Sequence, residues 1–108
     1  MLTPANVQPI YNALHTKLIN NFDIGFDSKR NRTYEFTISQ NHSLPFNLII
    51  STDRHNVPTS FRLAFNNGPI GAEYIDRQQA VVNQVTDILT KQFNLTENHV
   101  IPTRTYVL

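Results

Sequence analysis

Two apolar stripes at helical spacing, one near each end of the chain, bracket about fifty residues in which apolar positions alternate instead. A helical stripe and an alternating strand each have one face to bury, and the economical solution is to bury them against each other. That constrains the chain to an α+β fold. Val7, Ile10, Tyr11, Leu14, Leu18 and Phe22 set the first stripe and predict a helix from Val7 to Asn21. Pro9 is compatible with a helix only in its first turn, where its missing N–H has no intrahelical partner to lose, so Asn6 is the expected N-cap.

Phe22, Ile24 and Phe26 alternate with polar or small residues, and Tyr34, Phe36 and Ile38 do so again after the polar break Ser28-Lys29-Arg30-Asn31. This predicts a β-hairpin. Phe46 to Thr52 holds the uninterrupted run Leu48-Ile49-Ile50, the mark of a strand covered on both faces, and Phe61, Leu63 and Phe65 alternate before Asn66-Asn67-Gly68-Pro69. Asp76, with Gln79 three residues on, is the expected cap of a second helix. Its stripe is Val81, Val82, Val85, Ile88, Leu89 and Phe93, with Asn94 as its stop. A last strand is expected around Val100, Ile101, Tyr106 and Val107, restricted by Pro102 to an edge or a strand start.

The order α-β-β-β-β-α-β predicts a two-layer sandwich: an antiparallel sheet of about five strands with two helices on one face. At 108 residues it is a single α+β domain spanning 1–108. Thr33, Glu35, Thr37, Arg62 and Ala64 fall on the face the helices leave free, a set suited to water or to a partner.

Charge and composition exclude several functions. A formal charge of +1 builds no field for a phosphate backbone, and nucleic acid is not expected as a partner. After Arg77 the second helix has no basic residue until Lys91, so the basic cluster of a double-stranded-RNA reader is missing. With no cysteine, disulfides, thiolate nucleophiles and cysteine-based zinc sites are out, and a reducing cytoplasm is the expected compartment. Neither a signal-peptide pattern nor an apolar stretch of membrane-spanning length is present, so no membrane is expected.

Chemistry-bearing residues are sparse. His15, His42, His55 and His99 occur in no metal-binding spacing, and neither a metal nor another cofactor is expected. Asp23, Asp27 and Asp53 would gather around a hard cation only if their strand ends converged. Gly68-Pro69-Ile70-Gly71 enters the second helix without a phosphate-loop pattern, and Glu73 and Asp76 would repel an anion there. The sharpest cluster is Asp53-Arg54-His55 after the apolar strand, where a carboxylate beside an imidazole suits a general base. It also reads as a polar turn, no nucleophile accompanies it, and no catalytic residue is assigned.

The leading expectation is therefore a non-enzymatic protein-interaction or assembly domain. Its partner would be a second copy, through the free sheet face or edge strands, or another protein. The alternative is a small-ligand binder or minor enzyme with Asp53, Arg54 and His55 at the rim of a pocket lined by Tyr34, Phe36 and Phe61.

Overall fold

The computed structural model describes residues 3–18, 22–39, 45–65 and 72–98. Helix α1 (Gln8–Lys17) precedes β1 (Asp23–Arg30), β2 (Thr33–Ser39), β3 (Phe46–Thr52) and β4 (Pro58–Phe65). Helix α2 (Ala72–Asp87) then runs into a π-helical turn, Ile88–Gln92, before the short β5 (Thr96–Glu97). The strands lie in the order β1-β2-β3-β4-β5. The α+β class and the element order are those expected.

The sheet is mixed, which corrects the expectation of a purely antiparallel one: β1 to β4 form an antiparallel meander, but β5 pairs parallel to β4. The cause lies in connectivity. The chain leaves β4, runs through α2, and returns alongside β4 in the same direction, as a helical crossover requires. The strand expected around Val100 to Val107 lies outside the described residues, as do Asn66 to Gly71.

One core sits between the sheet and both helices. Val7, Ile10 and Leu14 from the first helical segment and Val81, Val85 and Leu89 from the second meet Ile24, Tyr34, Phe36, Ile38, Phe46, Leu48, Ile50 and Phe61. Phe26 closes the β1 side, its ring set edge-on to Phe36 at 5.4 Å between centroids. Among the described residues no helix is long and apolar enough to cross a membrane.

Helix ends differ from the expected caps for visible reasons. Val7, not Asn6, is the N-cap of α1, because Asn6 donates its side-chain amide to the Asn56 carbonyl (3.0 Å). Pro9 does fall in the first turn. The helix stops at Lys17, where Leu18 turns extended, short of the predicted Asn21. Asp76 lies inside α2, which begins at Ala72. Asn94 ends the second helical segment as expected: its φ of 59° lies in the left-handed region, and the Leu95 amide closes the turn on the Leu89 carbonyl at 3.0 Å.

Candidate functional site

Polar side chains gather at two places, the turn carrying Asp53, Arg54 and His55 and the sheet face opposite the helices. The turn joins β3 to β4. Asp53 organises it by accepting from the amides of His55 (2.8 Å) and Val57 (3.1 Å) on one carboxylate oxygen. Its own amide donates to the Val57 carbonyl at 2.9 Å. This is an Asx-type turn, in which a short carboxylate replaces a backbone acceptor. Arg54 and His55 are exposed at its tip, Arg54 Nε 3.3 Å from His55 Nε2.

The Asp53 carboxylate is thus spent on backbone amides instead of orienting the imidazole. The Val57 amide chiefly holds its carboxyl below the ordinary carboxylate range, the His55 amide and the positive charge of His55 and Arg32 adding to the effect against some desolvation. A carboxyl depressed by folding contributes stability that is complete above its unfolded value, and that is lost as pH falls through the lowered folded value. Thermal melts taken downward from about pH 5 should therefore decline more steeply for the wild type than for Asp53→Asn, which keeps an acceptor oxygen but cannot titrate. Parallel curves would show that this carboxylate does not tie the turn to pH.

Tyr34, Phe36 and Phe61, expected to line a pocket beside this turn, are instead core residues at 1%, 0% and 0% exposure. Period-two alternation places a ring on a face, but does not say whether that face meets solvent or a helix. Tyr34 reaches the turn only through its hydroxyl, which donates to Asn56 Oδ1 at 2.7 Å. The strand ends do not converge as a cation site of Asp23, Asp27 and Asp53 would require. Asp23 pairs with Ser39 at the far end of β2, whereas the Asp53 turn adjoins the near end, where Thr33 pairs with Ser51. Of the histidines, His15 is exposed and stacked on Tyr11, while His42 and His99 lie outside the described residues.

The helix-free face is the larger feature. Ser28, Glu35, Ile49 and Arg62 form one row across β1 to β4, and Thr37, Asn47 and Ala64 form a parallel row across β2 to β4. The surface over them is concave, a groove of about 630 Å³. That volume is within the range of ligand sites.

Of Thr33, Glu35, Thr37, Arg62 and Ala64, which alternation places on this face, all but Thr37 line the groove. Ser28, Lys29 and Arg30 are not so placed, because they read as a turn. They are strand residues, and the turn is Asn31-Arg32, with Asn31 at φ 54°. What defeats the alternation is a bulge: Phe26 faces Phe36, but Ser28 faces Glu35, so Asp27 is an extra residue. It shifts the phase of β1, bringing Ser28 and Arg30 to the groove side and Lys29 to the helix side, where its ammonium stands 5.5 Å from the centre of the Tyr34 ring.

Ile49 explains the apolar run of β3. It points away from the core, yet is only 8% exposed, because Glu35 and Arg62 stand beside it in the same row. The two-sided cover expected for this strand is thus supplied on the outer side by neighbouring side chains, not by a third layer. Asn47 Nδ2 donates to Glu35 Oε1 at 2.8 Å, and the Thr37 hydroxyl donates to Asp27. Arg30 and Arg62 have no ion-pair or side-chain hydrogen-bond partner among the described residues. The one ion pair there, Lys91 with Asp87, is exposed on the second helical segment.

Comparison of the chain with protein-family models, with curated proteins and with solved structures finds no match.

Proposed function

We propose that this chain is a protein-interaction domain that docks a segment of another protein in the groove of its helix-free sheet face. The observation that carries this reading is the groove itself: about 630 Å³, polar walls, and Ile49 in its floor. Ile49 and Ala64, apolar among hydrogen-bonding groups, suit a peptide, whose backbone needs acceptors and donors and whose side chains need somewhere dry.

Two features favour a foreign segment over a second copy. Two concave faces brought together by a two-fold axis enclose a void instead of a packed interface. The β1 edge is also poorly suited to strand addition, since it carries Asp23, Asp27, Lys29 and Arg30, all exposed, together with the bulge. Charges and bulges are what guard an edge against pairing. Nucleic acid is disfavoured because no aromatic ring among the described residues lines the groove, so none of them offers bases a surface to stack on. The setting that goes with this reading is the cytoplasm, where a chain without cysteine forgoes nothing.

Blocking the groove tests the proposal. Ser28→Trp, at an exposed position on one wall, and Ala64→Trp, on the β4 side, should each abolish retention of a partner that the wild type captures, with melting temperature unchanged for Ser28→Trp. A partner held equally by wild type and both variants would place docking elsewhere.

A further inference from the structure

We infer that the docked segment carries two acidic side chains four residues apart with an apolar residue midway, the outer two pairing with Arg30 and Arg62 and the middle one seated on Ile49. This rests on the docking proposal above and adds the chemistry of the partner. The first ground is charge. Arg30 and Arg62 flank the groove without partners among the described residues, while the single carboxylate lining it, Glu35, already accepts from Asn47. Arg62 is also half-buried, and a partly desolvated guanidinium gains more from a bidentate carboxylate than an exposed one does.

The second ground is spacing. Arg30 is on β1 and Arg62 on β4, three inter-strand steps or about 14 Å apart across the sheet and two residues or about 7 Å offset along the strands. That is about 16 Å between backbones, a span that two long, flexible arginine side chains shorten at their heads. An extended segment crossing the strands advances about 3.3 Å per residue, so side chains four positions apart are about 13 Å apart and project to the same side. The residue midway projects to that side as well. Below it lies the floor of the groove, where Ile49 offers the small apolar surface that Glu35 and Arg62 leave uncovered. The required pattern is acidic-x-apolar-x-acidic. A polyanion would satisfy the two arginines but would place further charge against Glu35 and would leave Ile49 unused.

The experiment selects displayed random peptides, each about eight residues long so as to cover the strand layer, against the wild type, and counter-screens the binders against Ser28→Trp and Ala64→Trp. A synthetic peptide with Glu at its first and fifth positions and Leu at its third is then titrated by fluorescence polarisation. Expected are enrichment of the acidic-x-apolar-x-acidic pattern, weakening of about tenfold or more in Arg30→Glu and in Arg62→Glu, and recovery when the matching Glu of the peptide becomes Lys. Affinity should also fall as salt rises. Groove-dependent peptides without the acidic pair, or with indifference to both reversals, would overturn this inference while leaving docking in place. Absence of any peptide lost on blocking the groove would overturn both. An oligonucleotide that binds and is lost in Arg62→Glu would overturn the assignment to an acidic protein segment.

Discussion

Replacing Phe36 by Ala is expected to destabilise the fold by about 3–5 kcal/mol, against a total of about 5–15 kcal/mol for a domain of this kind. Phe36 has no solvent exposure and stands at the centre of β2, hydrogen-bonded between β1 and β3. Its ring meets Phe26 edge-on at 5.4 Å. It belongs to the single core that both helical segments share with the sheet. Removing it costs the transfer of an aromatic ring and leaves a cavity that β2, paired on both sides, cannot close by shifting. Urea unfolding should show the midpoint lowered by at least about 1 M. As a control, Val57→Ala, at a residue 52% exposed, should stay within about 0.5 kcal/mol. A loss below about 1 kcal/mol for Phe36→Ala would mean that the aromatic layer does not hold the sheet to the helices.

Asn56→Ala is expected to cost about 2–3 kcal/mol, unusually much for an exposed turn residue. Two effects add. Asn56 has φ 65°, a left-handed conformation that asparagine tolerates and that costs alanine about 1–2 kcal/mol. Its Oδ1 also accepts from the Tyr34 hydroxyl at 2.7 Å, on a residue otherwise sealed in the core. Loss of that acceptor costs about 1 kcal/mol more. The two effects separate in Asn56→Gly, which relieves the backbone but still lacks the acceptor, and should lose only about 1 kcal/mol. Chemical denaturation should therefore rank wild type above Gly and Gly above Ala. Equal losses for Gly and Ala would show that backbone conformation contributes nothing at this position.

These two residues also mark how far the sequence could be read. Alternation places Phe36 on the buried face, and helical spacing brings Leu14 and Val85 to it, because both patterns record which side of an element is dry. The groove was legible in part: Thr33, Glu35, Arg62 and Ala64 alternate with core residues and so had to face away from them. Arg30 reads as part of a turn because the bulge at Asp27 reverses the phase of β1 and so ends the alternation of Phe22, Ile24 and Phe26 early. Asp53-Arg54-His55 carried the right side chains for a general base, but whether a carboxylate faces an imidazole or a backbone amide depends on turn dihedrals. Asn56 reads only as part of that polar turn, and its left-handed φ is set by the fold. The caps failed for a related reason. Asn6 has the chemistry of an N-cap, yet a tertiary acceptor 50 residues away holds its side chain.

The central claim is that function resides on the face the helices leave free, and backbone amide shifts report on it most directly. With a groove-selected peptide added to the isotopically labelled chain, the account predicts shifts at Arg30, Glu35, Asn47, Ile49 and Arg62, quiet amides along α1 and α2, and loss of the response in Ser28→Trp. Shifts confined to the helices or to the Asp53–Val57 turn, with those groove residues unmoved, would contradict it.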